Sequence, residues 1–321
     1  MRKDAIDLVQ LPTSQHFKLH ELGEGIFAAI HAPNGWAQSN AGIIDIGDRT
    51  LIYDTFISPL ASRDLLAAAQ TLTGRPTHLV INSHYHNDHT WGNLAVPKEM
   101  DIISTGRTRD LIAARESKLD PSYQPTILKE LGETQDRLEN ARNENERAHA
   151  KYFVVYYQAI LNTISLLPSR VPNVIFRDEI EFTGMKRRAR LIERGGHTAS
   201  DAILYLPDDQ VAFLSDLLFV KAHTYLEDGD PEELLQTMDF IKELGAEVLV
   251  GGHGNPGGVI DVDAIIDYVH EMNALVRHAI QDGASREYIA SLPVPDKYVT
   301  WLFPNFYKEN ILFLYQRYST Q

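Results

Sequence analysis

The feature that most constrains this chain is a run of histidine and aspartate side chains directly after the apolar segment 78–81. It places His84, His86, Asp88 and His89 within six residues. In extended backbone, residues two apart point to the same side, so His84 and His86 can hold one metal ion. Asp88 and His89, in the turn that follows, can reach a second point. Imidazole and carboxylate are common metal ligands, and a polar loop of solvated histidines is the less favoured interpretation.

The charge of the chain disfavours one class of partner, the nucleic acids. The formal net charge is −14, from 30 Lys and Arg against 44 Asp and Glu. Such a surface repels phosphate backbones, so we expect no nucleic-acid partner. The one compact basic run, 186–190, alternates like a strand and is interpreted as a solvated strand face rather than a phosphate site.

The chain contains no cysteine, so every metal ligand must be a nitrogen or an oxygen atom. The N-terminal residues lack the apolar core of a secretory signal, and no apolar run approaches the roughly 18 residues of a membrane span. We therefore expect a cytoplasmic protein with no membrane partner.

The first hundred residues carry both strand and helix signals. Residues 1–24 are mixed in composition and are interpreted as loop-like. Three apolar segments of strand length within 25–54 predict a β-meander. Helical spacing of leucine and alanine at 59–73 predicts a helix before the strand that leads to the histidines. This order of elements favours an α/β layer arrangement.

Residues 107–170 differ in character, because they are rich in Glu, Arg, Asn and Gln. They predict two or three long helices, the last from Glu144 to Leu167. This last helix carries an apolar stripe, interpreted as core or dimer face rather than as a ligand-binding wall. The stripe consists of Phe153, Tyr156, Tyr157, Ile160, Leu161 and Ile164. Strand signals return from residue 174, and helices are predicted at about 231–244 and within 261–292.

Three further candidate ligands lie where predicted strands end. They are His197 and His253, each preceded by two glycines, and Asp216. Glycine lets the backbone turn sharply and approach closely, which suits a ligand held at the end of a strand. Each residue alone is weak evidence for a metal site. In this order after the histidine cluster, they form a strong constellation.

With these residues the chain resembles the metallo-β-lactamase superfamily. The resemblance implies an α/β fold, a four-layer αββα sandwich with metals in a cleft at the sheet edges. It covers roughly 25–106 and 174–281. We therefore predict an N-terminal half of the domain at 1–106, an all-helical insertion at 107–173, and a C-terminal half at 174–321 that ends in an aromatic helix.

The resemblance also implies a role for each candidate ligand. His84, His86 and His197 would form a first metal site, and Asp88, His89 and His253 a second. Asp216 would bridge the two, and Asp54 would orient the turn behind the ligands. Zinc is the first expectation, two ions per chain, because it tolerates mixed nitrogen and oxygen ligands. Iron and manganese use the same ligand types and stay open.

Two ions about 3.5 to 4 Å apart share a bridging water and lower its pKa from that of bulk water toward 7, which gives hydroxide at neutral pH. We expect a dinuclear metallohydrolase in which Asp88 orients the hydroxide or passes a proton to the leaving group. The expected substrate is a small ester, thioester, lactone or amide. Hydrolysis of a β-lactam or a phosphodiester, and iron-dependent oxidoreductase chemistry, remain alternatives.

Several residues outside the ligand set are candidates for contact with substrate. Trp36 lies in a turn-rich loop, and His223 and Tyr225 follow Asp216 on a loop that leaves the expected cleft. Local packing is the competing interpretation for each of them. The aromatic run 298–307 is expected to cap an apolar pocket or to dock the last helix. The helical insertion is the expected contact of a possible homodimer.

Overall fold

The structure is a computed structural model that describes residues 11–75, 77–118 and 123–319. Within these residues, one sheet follows the order of the chain from β1 to β7. Its strands are β1 (Phe17–Gly23), β2 (Ile26–His31), β3 (Ala41–Asp45), β4 (Thr50–Tyr53), β5 (Thr77–Ile81), β6 (Asp101–Thr105) and β7 (Val174–Phe176). Strands β1 to β4 are antiparallel, as the predicted meander requires, and β4 to β7 are parallel.

The second sheet comes entirely from the C-terminal part of the chain. Its order is β12-β11-β10-β9-β8 among the described residues. The strands are β8 (Glu179–Thr183), β9 (Arg188–Arg194), β10 (Asp201–Leu206), β11 (Val211–Phe219) and β12 (Val248–His253). Only the pairing of β11 with β12 is parallel within this sheet, so both of these strands end at the same edge.

Alternating side chains of the two sheets build three separate hydrophobic clusters. In β3, Ile44 faces the second sheet, whereas its neighbour Ile43 packs against α1 (Pro59–Thr73). The outer face of the second sheet packs against helices of the C-terminal part. These helices are α6 (Pro231–Glu243), α7 (Val259–Gln281), α8 (Arg286–Ser291) and α9 (Pro304–Ser319). Helix, sheet, sheet and helix form four layers, which confirms the expected αββα sandwich.

Most of the described part of the segment between β6 and β7 is helical. It contains α3 (Gly106–Glu116), α4 (Gln124–Glu139) and α5 (Glu144–Ile164). The strand that follows, β7, pairs with β6, so the chain returns to the first sheet after these helices. The division of the chain at residues 106 and 173, and the pairing of two copies through these helices, stay predictions.

Two local interpretations of the sequence were wrong. Residues 17–23 form the edge strand β1, although polar and charged side chains on its solvent face made the segment resemble a loop. In the basic run, Arg187 is not solvated but buried, and it is paired with Asp209 at 2.8 Å. Its guanidinium also donates to the carbonyl oxygens of Asp45 and Glu24, and thus ties the two sheets together.

None of the helices in the described ranges combines the length and the apolar character that crossing a membrane requires.

Candidate metal centre

The predicted ligands converge where strands of both sheets end. β5 ends at Ile81, and His84 follows after two residues. His86 immediately precedes the short helix α2 (Asn87–Thr90), which contains Asp88 and His89. From the second sheet, His253 is the last residue of β12.

Asp216 reaches the centre from within β11 because that strand is irregular. The register between β11 and β12 shifts around Ser215, whose φ is 49°. A bulge of this kind turns the following side chain. On β12, a Cβ atom at Gly252 would overlap Oδ1 of Asp216, so the glycine before His253 is needed for close approach, as the sequence predicted.

The ligand atoms form two groups, and in each group all atoms lie within 4.8 Å of one another. One group is His84, His86, His197 and Asp216; the other is Asp88, His89 and His253. Apart from Asp216, the expected bridge, which falls in the first group, the members are those that the resemblance implied for the two sites.

The carboxylate of Asp216 joins the two groups. Its Oδ2 lies 3.8 Å from Nε2 of His84 and 3.3 Å from Nε2 of His197. Its Oδ1 lies 3.1 Å from Nε2 of His89 and 3.5 Å from Nε2 of His253. One oxygen faces each group, which is the arrangement that a bridging ligand requires.

Hydrogen bonds on the far side of three rings fix which nitrogen faces the centre. Nδ1 of His89 donates to Asp54 at 2.8 Å, and Nδ1 of His197 donates to the carbonyl oxygen of Tyr225 at 3.2 Å. Nε2 of His86 donates to Asp228 at 2.9 Å. The other nitrogen of each ring is left with a lone pair toward the centre, as in metal-binding histidines.

Asp54 lies at the base of this network and is fully buried. Its Oδ1 accepts from the backbone N–H of Ser83 at 2.9 Å. Its Oδ2 accepts from the hydroxyls of Ser83 and Ser215 at 2.8 and 2.9 Å, in addition to His89. The carboxylate therefore joins the ends of β4, β5 and β11, which agrees with its predicted role behind the ligands.

The donor set fits metal ions. Nε2 of His84, Nε2 of His89 and Oδ1 of Asp216 are buried and make no hydrogen bond within the described part of the chain. Buried polar atoms are normally paired, so converging nitrogen and oxygen atoms without a protein partner form a donor set suited to a cation.

Burial and neighbouring charges shift the pKa values of the ligands in different directions. Burial alone lowers the pKa of His89, but the charges of Asp216, Asp88 and Asp54 raise it well above its usual value. Burial lowers the pKa of His84 well below its usual value, and the charges of His89 and His86 lower it further. Burial likewise lowers the pKa of His197 to about 3. Although burial alone raises the pKa of Asp216, the charges of His89 and His253 move it well below its usual range. Neutral imidazole and ionised carboxylate are the forms that bind metal.

A cavity of about 390 Å³ opens onto the centre, with Asp88 in its wall. Oδ2 of Asp88 lies 3.6 Å from Nε2 of His89 and 3.5 Å from Nε2 of His253. Eight of the other lining residues are aromatic: Tyr152, Phe153, Tyr156, Tyr157, Phe219, Tyr225, Phe303 and Phe306. The cavity therefore has a mostly aromatic wall, which also contains Asn305 and Glu309, above a polar floor. Its lining contains no lysine or arginine among the described residues.

The aromatic half of the apolar stripe on α5 forms part of the cavity wall. Residues of the aromatic run 298–307, before and within α9, form another part of it. Phe153, Tyr156 and Tyr157 line the cavity, whereas Ile160, a turn further on, packs in the core with Trp91. The aromatic half of the stripe packs against the core, as expected, and also lines the cavity, which the interpretation as core or dimer face did not include. A helical period alone does not distinguish a core from a cavity wall.

The three candidates for contact with substrate lie in different surroundings in the structure. Tyr225 lines the cavity, whereas Trp36 and His223 do not. The ring of Trp36 stacks on His16 at 5.9 Å and packs near Ile57 and Trp91. His223 is fully buried, and its Nδ1 lies 2.9 Å from the hydroxyl of Tyr268. Local packing thus accounts for Trp36 and His223.

Asp228 is a residue of the centre that the sequence did not reveal. Its Oδ2 accepts from Nε2 of His86 and, at 2.7 Å, from the hydroxyl of Tyr85. The hydrogen bond from His86 lowers the pKa of Asp228 to about 2. Asp228 lies in an acidic turn, 142 residues from His86, and nothing local distinguishes it from its neighbours. It orients the ring of His86 toward the centre.

Comparison with known proteins gives a family for this arrangement. The family model described as the metallo-beta-lactamase superfamily matches residues 34–253. A curated relative, the linear primary-alkylsulfatase of Pseudomonas sp. (strain ATCC 19151), is 23% identical over 225 residues. That match covers 67% of this chain but only 41% of the relative.

Solved structures show the same fold at low identity. A metallo-beta-lactamase from Pontibacter korlensis superposes with a TM-score of 0.56 at 15% identity, over 79% of this chain and 99% of that one. A double mutant of the sec-alkyl sulfatase PisA1 superposes with a TM-score of 0.66 at 16% identity. It covers 94% of this chain, and this chain spans half of the sulfatase. The family match extends over most of the described fold and includes the ligands from His84 to His253, so the chain belongs to the metallo-β-lactamase superfamily.

Proposed function

We propose that this protein is a dinuclear zinc hydrolase that cleaves a small, neutral ester, thioester, lactone or amide carrying an apolar group. The observation that carries this proposal is the position of two ligand groups, joined by Asp216, at the floor of an aromatic cavity. Membership in a superfamily of metal-dependent hydrolases supports the reaction class.

Two bound ions would supply an activated water and polarise the scissile carbonyl group. The protein side chains supply the rest. Asp216 holds the two ligand groups in one fixed relation through its two oxygens. Asp88 borders the cavity and is placed to orient the attacking water and to take or return its proton.

The walls of the cavity favour a neutral substrate. Aromatic rings bind alkyl and aryl groups by burial of apolar surface. A substrate with a carboxylate away from the reacting bond, such as a β-lactam antibiotic, would find no lysine or arginine among the described lining residues. A carboxylate buried without a cation is costly, so the cavity disfavours such substrates.

An alkyl sulfate is the second candidate substrate. It is favoured by similarity to the linear primary-alkylsulfatase and to the structure of PisA1, which matches nearly the whole chain. The alkyl chain of such a sulfate would pack against the aromatic wall as well as the alkyl chain of an ester would. The two candidates differ at the reacting group, which is anionic in the sulfate and neutral in the ester.

The proposal is tested with a panel of phenyl acetate, a thioester, an alkyl-substituted lactone, decyl sulfate, a penicillin and a phosphodiester. We expect kcat/KM for a neutral acyl substrate to exceed that for decyl sulfate and penicillin by about 10-fold or more, equivalent to at least 1.4 kcal/mol. The His86→Ala variant, which lacks a metal ligand, should lose this activity. Decyl sulfate as the best substrate would instead assign the site to sulfate esters, and turnover that survives in His86→Ala would contradict metal-dependent hydrolysis.

A further inference from the structure

The cavity contains a pair of hydrogen-bond donors that the ligand set does not use. Two of its tyrosine hydroxyls already have protein partners. The hydroxyl of Tyr152 donates to the carbonyl oxygen of Gln38 at 2.9 Å, and that of Tyr225 donates to Glu227 at 3.1 Å. Tyr157 lies toward the outer groove between α4 and α9, whose lining it also shares. Tyr156 differs from these three residues.

The hydroxyl of Tyr156 faces the amide of Asn87. It lies 3.4 Å from both Nδ2 and Oδ1 of that side chain. These contacts are longer than a good hydrogen bond, so both groups retain the capacity to donate to a ligand. The choice of amide orientation does not matter, because the nitrogen stays 3.4 Å from the hydroxyl in either case.

Tyr156 and Asn87 lie in the cavity where the reaction is expected to take place. Asn87 is the residue before Asp88 and the first residue of α2, and both Asn87 and Tyr156 line the cavity. Two donors about 3.4 Å apart can both reach a single oxygen at about 2.9 Å from each, the spacing of an oxyanion site. Burial and the charge of Asp88 raise the pKa of the Tyr156 hydroxyl, so it remains a protonated donor at neutral pH.

We propose that the Tyr156 hydroxyl and the Asn87 amide are further catalytic groups, which donate hydrogen bonds to the substrate carbonyl oxygen as negative charge develops on it. This inference rests on the proposed function. The attacking water oxygen forms a bond to the carbonyl carbon, and the π electron pair moves to the carbonyl oxygen, where the two donors stabilise it.

The remaining steps need no proton from either donor. The pair on the carbonyl oxygen reforms the double bond, and the bond to the alcohol oxygen breaks with its electrons on that oxygen. The alcohol oxygen takes the proton that the water lost, through Asp88 or solvent. Tyr156 and Asn87 thus stabilise negative charge that develops only in the transition state. Stabilisation of this kind raises kcat.

The test compares Tyr156→Phe and Asn87→Ala with the wild-type protein. With phenyl acetate we expect kcat to fall by about 10²-fold in each variant while KM changes little, the usual effect of removing one oxyanion donor. Affinity for phenyl methylphosphonate, a tetrahedral analogue, should fall by a similar factor in calorimetry. Tyr315→Phe is the matched control, because its hydroxyl makes a comparable 3.4 Å contact, to Ala284, outside the cavity. It should behave as the wild-type protein.

Other outcomes overturn the inference. Unchanged kcat with raised KM would make Tyr156 a wall residue only, and a parallel loss of metal content would make its role structural. Equal phosphonate affinity in wild-type and Tyr156→Phe protein would contradict the donor role even if the natural substrate is not an ester. The absence of any hydrolysis by the metal-loaded wild-type protein would instead count against the proposed function itself.

Discussion

Replacing Asp216 with asparagine is expected to reduce kcat/KM by about 10³-fold or more, which corresponds to about 4 kcal/mol of transition-state stabilisation. The substitution preserves the shape of the side chain but removes its charge. In the wild-type protein, Oδ1 and Oδ2 of Asp216 each face one of the two ligand groups. In the variant, the amide nitrogen would replace one of these oxygens, and its N–H group cannot bind metal. Elemental analysis should show that the metal content falls together with the activity.

The matched control for this variant is Asp208→Asn, the same substitution in the hairpin before β11. Asp208 is an exposed partner of Arg188 at 2.8 Å, remote from the ligands. It should retain full activity and metal content. If Asp216→Asn kept both metals and normal turnover, the bridging role of this carboxylate would be excluded.

Replacing Asp54 with alanine is expected to lower the free energy of unfolding by about 3 to 5 kcal/mol, the range seen when one partner of a buried charged network is removed. The change removes the carboxylate that accepts from the hydroxyls of Ser83 and Ser215 and from Nδ1 of His89. These groups then keep only their contacts with one another and with His84. It also places alanine at a φ of 61°, which aspartate tolerates better. Urea denaturation, carried out with and without chelator, measures the loss.

Metal binding should weaken in the same variant, by about 10- to 100-fold, because His89 loses the group that orients its ring. Asp45→Ala provides the comparison. Asp45 is also buried and accepts from Arg75 and Lys186, but it lies away from the ligands. That variant should lose stability and keep its metal affinity. A normal metal affinity in Asp54→Ala would show that Asp54 serves folding alone.

Much of the fold was predictable because its strands carry strong local signals. The apolar segments that became β2, β3 and β4, and the helical spacing that became α1, need no distant partner to be recognised. The edge strand β1 was missed for a physical reason. Its pattern of exposed Lys18 and Glu21 is typical of both a solvated edge and a loop, and only pairing with β2 distinguishes the two.

The ligands were predictable for a similar reason. The spacing of His84, His86, Asp88 and His89 is itself the signal, and two glycines precede both His197 and His253. Residues that act through tertiary proximity carry no such mark. Asp228 reaches His86 from a turn in another part of the chain.

The cavity wall illustrates the same limit. Its aromatic residues come from α5, from the end of β11 and the loop after it, and from the segment around the start of α9. Each segment alone has the pattern of an ordinary amphipathic or buried element, and only their assembly over the ligands creates a cavity. Tyr225 and His223 are two residues apart, yet Tyr225 lines the cavity whereas His223 forms a hydrogen bond inside the core. The local sequence therefore does not indicate which of the two reaches the cavity.

We propose that this chain holds two metal ions in the two ligand groups joined by Asp216. Elemental analysis of protein purified without chelator is the most direct test. We expect about two zinc ions per chain, the stoichiometry of a two-metal hydrolytic site. A single iron per chain, or no bound metal after incubation with zinc, would contradict it.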